Sequence, residues 1–175
     1  MSSLPEILDQ TLKAALQRSQ PQICLPRYLK EIQETEKLPE RIIVLGAGKA
    51  SAEMANALEC HWQESDWGEK LTGLVLTRYG YGVPCTSIEI VKAAHPVPDE
   101  IGQITAQRIL NLAESTTDED LVICLISGGG SALLALPGKG LTLQDKQALN
   151  SSLLHLSLIR ISEPTRRRGI SDAVF

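Results

Sequence analysis

Two stretches of this chain carry no polar side chain and run straight into glycine: Ile42, Ile43, Val44 and Leu45 before Gly46-Ala47-Gly48, and Leu121 to Ile126 (LVICLI) before Ser127-Gly128-Gly129-Gly130-Ser131. A half-exposed strand alternates apolar and polar residues, whereas an unbroken apolar run is what a strand covered on both faces carries. Behind the first run, Ala50, Met54, Ala57 and Leu58 share one helical face and predict a helix over about 49–61. Strand, glycine turn and helix in that order build a parallel sheet with helices on both sides. Apolar segments at about 71–77 and 88–93 predict two further strands. A helix is predicted over about 99–115, with Asp99 as its cap and Ile101, Ile104, Ile109 and Leu112 on its inner face. Upstream, Ser3 and Glu6 form a capping box for a helix over about 4–18, whose apolar face is Leu4, Ile7, Leu8, Leu12, Ala15 and Leu16. A shorter helix is predicted near 25–34, and a connector containing Pro39 leads to the first strand. The fold class is α/β: a Rossmann-like, three-layer parallel sheet, expected to be incomplete.

With 175 residues the chain is sized for one core. Residues 1–40 are expected to be a helical segment of the same domain as 41–155. No apolar run approaches the roughly 18 residues that a membrane span requires, and MSSLPEILDQ has no basic, apolar leader pattern, so no secretory signal and a cytoplasmic location are expected. The net charge of −4 argues against a nucleic-acid partner, because phosphate-backbone binding needs a basic surface. Cys24, Cys60, Cys85 and Cys124 form no CxxC pair, and with three histidines no spacing reads as zinc. They are read as free thiols, Cys124 inside a buried strand. A small-molecule ligand is the expectation left.

In an open parallel sheet, ligands sit at the carboxyl ends of the strands, where glycine lets backbone N–H groups approach an anion. Both glycine loops occupy that position. Gly46, Gly48 and Ser51 in the first loop, and Ser127, Gly128, Gly129, Gly130 and Ser131 in the second, are therefore candidate nucleotide- or substrate-binding residues. The alternative is a pair of tight turns. Lys49 is the candidate catalytic residue: a cation beside a helix start is unfavourable unless an anion is present, and a lysine there can screen phosphoryl oxygens during transfer. His95, between a predicted strand and the stiff Pro96-Val97-Pro98, and Arg78, ending another strand, are further candidates beside ordinary structural readings. His61 is read as a surface residue. GAGKAS is not a Walker A loop, and as a dinucleotide fingerprint it lacks the last glycine and the acid at the end of the next strand.

LGAGKAS at 45–51, TRYG at 77–80, HPVPD at 95–99 and ISGGGSALL at 126–134, followed by LTLQDK at 141–146, together resemble the N-terminal region of MOFRL-type glycerate kinases. Some members of that family are labelled hydroxypyruvate reductases. The resemblance implies phosphoryl transfer from ATP to the 2-hydroxyl of D-glycerate with a divalent cation, usually Mg²⁺, in a cleft between a large Rossmann-like domain and a smaller second one. It assigns Lys49 to catalysis or phosphate binding, residues 127–131 to phosphates or substrate, and His95 to the cleft. Tyr81 stands where many members have His, which leaves that position open. On this reading the chain is a truncated N-terminal part, inactive alone; metal ligands are unknown, and a homodimer is one open option for its assembly. An NAD(P)-dependent hydroxypyruvate reductase and a non-catalytic phosphosugar-binding domain are the rival readings. Residues 156–175 (LSLIRISEPTRRRGISDAVF) resemble a translated sequencing adaptor, with Arg160 and Asp172 as departures; a basic terminal helix is the alternative. Without this tail the net charge goes from −4 to −6, since it holds four Arg, Glu163 and Asp172.

Overall fold

A computed structural model describes residues 3–155. The reading of 156–175 as foreign lies outside the described residues. Helices α1 (Leu4–Arg18), α2 (Pro21–Cys24) and α3 (Pro26–Thr35) precede the first strand, β1 (Ile42–Ala47). Then follow α4 (Ser51–Trp62), α5 (Asp66–Glu69), β2 (Leu71–Arg78), β3 (Ile88–Ala93), α6 (Glu100–Glu114), β4 (Leu121–Ile126), α7 (Gly130–Leu133) and α8 (Leu143–His155). The strands form one sheet in the order β3-β2-β1-β4, and every pairing is parallel. The chain moves outward from β1 to β2 and β3, then returns to place β4 on the other side of β1. The strand order therefore reverses between β1 and β4, the point at which doubly wound sheets leave a crevice for ligands.

Successive side chains of a strand face opposite sides of the sheet, and the core divides accordingly. On one side Ile42, Val44, Val75 and Leu125 pack against Ala55, Leu58 and Trp62 of α4, with Leu29 of α3 behind them. On the other, Ala47, Leu76 and Ala93 meet Leu133 of α7 and Ile109 of α6. The three-layer α/β reading holds. Trp62 and Leu58 are fully buried, each worth about 1.5–3 kcal/mol for the burial of such a side chain. At the start of the sheet Arg41 grips Asp120 in a two-point bond, Nε to Oδ1 at 2.9 Å and Nη2 to Oδ2 at 2.7 Å, which ties the entries of β1 and β4.

Three expectations need correction. Cys124 is exposed, because among the described residues no element covers the face of β4 that carries Val122, Cys124 and Ile126. Ile101 and Ile104 also point outward; Gly102, Thr105 and Ala106 are the buried residues of α6, small enough to bring the helix close to β2 and β3. The glycine loop starts later than Gly46, since β1 continues through Ala47. The capping box of α1 is present, with Ser3 N–H donating to Glu6 at 2.7 Å, yet none of the residues of α1 is buried.

Candidate functional site

The loops after β1 and β4 are built into each other. Gly48 N–H donates to the Leu76 carbonyl at 3.0 Å, Lys49 N–H to Gly128 at 3.0 Å, and Ser127 N–H to Ala47 at 3.1 Å. The Ser127 hydroxyl accepts the Ala50 N–H at 3.0 Å, just before α4 begins, and lies 3.2 Å from the Ser51 hydroxyl, which itself donates to the Leu125 carbonyl at 2.8 Å. So dense a lattice needs backbone at close quarters. Gly48 has φ +139°, and a Cβ there would stand 2.6 Å from the Ser127 carbonyl oxygen. Gly129 has φ +91° at the start of α7. A left-handed residue in such a turn aims successive N–H groups to one side, a concavity suited to anions. Consistently, neither Gly128 nor Gly129 donates its N–H to a backbone acceptor among the described residues.

Over this turn two side chains from distant parts of the sequence meet. A Cβ on Gly129 would lie 2.7 Å from His95 Nε2 and 3.5 Å from Lys49 Cε. Lys49 is exposed and takes part in no ion pair among the described residues. His95 is half-buried, and its pKa is pushed below the ordinary 6.5, first by burial and then by the positive charges of Lys49 and Arg78. Burial and the two cations favour the neutral imidazole, which can accept a proton or a hydrogen bond. Arg78 lies with its guanidinium 4.3 Å from the centre of the Tyr81 ring, a cation–π contact that gives Tyr81 a place beside the site.

The structure brings together Gly48, Lys49, Arg78, His95, Ser127, Gly128 and Gly129, with Ser131 exposed on α7. Gly46, Ser51 and Gly130 stand behind this surface and are buried; Ser51 holds the β4 backbone with its hydroxyl. His61 is exposed on α4, away from these loops, as read from the sequence. Asp99 caps α6 at Gly102 N–H (2.8 Å), but it also accepts the Ala94 N–H at 3.1 Å and the Tyr79 hydroxyl at 3.0 Å, and that bond raises the tyrosine pKa. No local signal announces it, because Tyr79 and Asp99 are joined only across neighbouring elements. Two concavities of about 560 Å³ lie elsewhere, one along residues 35–40 and 118–121 at the opposite end of β1 and β4, the other along 84–90. Among the described residues no three of His, Cys, Asp or Glu stand together as a metal site, and no helix is long and apolar enough to cross a membrane.

Known proteins resemble the chain in this same region. A protein of Agrobacterium vitis, provisionally named a hydroxypyruvate reductase, is 51% identical over 114 residues, which are 65% of this chain and 29% of that protein. Glycerate 2-kinase of Pyrococcus horikoshii is 39% identical over 132 residues, 75% of this chain and 28% of the kinase. The crystal structure of a glycerate kinase from Thermotoga maritima superposes with a TM-score of 0.70 at 32% identity, over 87% of this chain and 35% of that one. The chain thus spans about a third of the length of the relatives it matches. The family model described as DUF4147, a domain of unknown function, matches residues 7–163, and the chain belongs to that family.

Proposed function

We propose that this chain supplies a nucleotide- and phosphate-handling part of an ATP-dependent glycerate 2-kinase, which moves the terminal phosphoryl group of ATP to the 2-hydroxyl of D-glycerate. The observation that carries the reading is the meeting of Lys49 and His95 over Gly129, at the point where the strand order reverses. Phosphoryl transfer asks little covalent chemistry of a protein; it asks for positioning and for charge placed where charge spreads. In this reading the N–H groups of Gly128 and Gly129 cradle phosphate oxygens, and Lys49 follows the transferring group. Arg78, held by Tyr81, attracts the anion, and neutral His95 stands where it can take the proton of the attacking hydroxyl. Ser127 and Ser51 keep the two loops in register. A divalent cation would neutralise the nucleotide phosphates; the described residues hold no cluster of three His, Cys, Asp or Glu to bind it.

A reductase of hydroxypyruvate is the second reading, favoured by the provisional name of the Agrobacterium relative. Against it stand a first loop with Ser51 where the dinucleotide fingerprint has glycine and a second strand that ends at Arg78 instead of an acid. Steady-state kinetics of Lys49→Ala in the full-length protein that carries this segment test the kinase roles. Loss of one preorganised electrostatic donor lowers kcat by roughly a hundredfold or more. An unchanged kcat would move Lys49 out of the reaction.

A further inference from the structure

The Asp99 carboxylate makes three hydrogen bonds to three different elements. Oδ1 accepts from Gly102 N–H at the start of α6, while Oδ2 accepts both from the Ala94 N–H, next to His95, and from the hydroxyl of Tyr79, next to Arg78. A helix cap needs only the first, and Ser, Thr or Asn would supply it. The other two bonds do nothing for the helix. They join the end of β2 to the end of β3, beside the Tyr79 N–H to Ala93 carbonyl bond of 3.1 Å. Pro98, buried, leads directly into the carboxylate, and the Gln147 side chain of α8 donates to its carbonyl at 2.8 Å, so the far side of the segment is held as well.

We propose that Asp99 is a positioning residue of the site, a bridge that sets His95 against Gly129 and Lys49 by holding Ala94 and Tyr79 on one carboxylate oxygen. The inference rests on the site reading only in taking His95 as a working residue; the arrangement itself is testable without any activity. The charges that act on His95 are Lys49 from the β1–α4 turn and Arg78 from the end of β2; Asp99, at the start of α6, reaches it through the neighbouring Ala94 N–H, and the β4 loop contributes only glycine and serine. The sign of the response is therefore informative. Removing the negative charge of Asp99, with nothing moving, cannot raise the His95 pKa; releasing His95 from burial and from the two cations does raise it.

The experiment is an NMR pH titration of the histidines in this chain, with His95 assigned by its loss in His95→Gln. Asp99→Asn keeps an oxygen for the Gly102 cap but presents an amide where two hydrogen bonds were accepted, and Tyr79→Phe removes one bond without changing charge. The wild-type His95 midpoint should lie below 6.5 and move upward in Asp99→Asn, and upward by less in Tyr79→Phe. A midpoint that stays or falls in both variants would overturn the bridge and leave Asp99 a helix cap. If Asp99→Asn does not fold, Tyr79→Phe decides alone by the same sign. Neither outcome depends on whether the full-length protein is a kinase, which is read separately from its products.

Discussion

Gly48→Ala puts a methyl group where the second loop already stands. The new Cβ would lie 2.6 Å from the Ser127 carbonyl oxygen and 2.7 Å from its carbon, and closer still to the hydroxyl. The carbonyl carbon and oxygen are backbone atoms of a loop tied down by three hydrogen bonds to its neighbour, so they cannot turn aside as a flexible side chain would. The residue must also hold φ +139°, which costs a side-chain-bearing residue about 1–3 kcal/mol. Displacing Ser127 loosens the Ala50 to Ser127 and Lys49 to Gly128 bonds, each worth about 0.5–1.5 kcal/mol net. Together these give about 2–6 kcal/mol, which for a chain of this size lowers Tm by roughly 4–24 °C. Gly128→Ala is the control from the same loop pair: nothing lies within 4 Å of its added Cβ, and its cost should stay within about 0.5 kcal/mol. Thermal melts of the two variants, followed by circular dichroism, check the difference. Equal melting temperatures would refute the claim that the two loops are locked together at Gly48.

Acid should weaken the fold through Asp120, whose carboxyl is held down at about 2 by Arg41 and by the Thr117 backbone. The unfolded value is about 3.9, so this stabilisation is complete above that pH and is lost as pH falls toward 2. Melting temperatures measured across that interval should drop less steeply in Arg41→Ala than in the wild type. Thiol labelling at pH 8 should modify exposed Cys60 and Cys124 early and Cys85 last, because burial first, then Glu59 and Cys60, push the Cys85 thiol up to about 11. Mass spectrometry of the labelled peptides gives the order, and slow labelling of Cys124 would show that its face of β4 is covered.

What sequence can convey here depends on how local the cause is. Strands β1 and β4 announce themselves by runs of apolar residues, and β3 is placed residue for residue, since periodicity and composition act within a few residues. Helices α2, α5 and α7 have four residues each, too few to complete a periodic pattern, and α8, though 13 residues long, carries no clear apolar stripe; none of the four is legible in the sequence. The apolar stripe of α1 is real as a pattern, but Leu4, Ile7, Leu8, Leu12 and Leu16 all lie exposed, because amphipathicity states that a face wants cover without stating what covers it. Cys124 differs for a related reason: LVICLI reads as doubly buried, but an apolar run does not say whether a helix covers each face of the strand. The two glycine loops were legible as separate strand ends. That they interlock, and that His95 closes over Gly129 beside Lys49, follows from β4 pairing with β1, a contact between residues some eighty positions apart. The bond from Tyr79 to Asp99 is hidden in the same way.

Phosphorus NMR of the full-length protein incubated with ATP, D-glycerate, hydroxypyruvate and NADH puts the kinase and reductase chemistries in one tube. Transfer at the Lys49, His95 and Gly129 site predicts ADP and a new phosphomonoester signal from glycerate phosphorylated at its 2-hydroxyl, both formed roughly a hundredfold more slowly in Lys49→Ala. Oxidation of NADH with ATP left intact would contradict it.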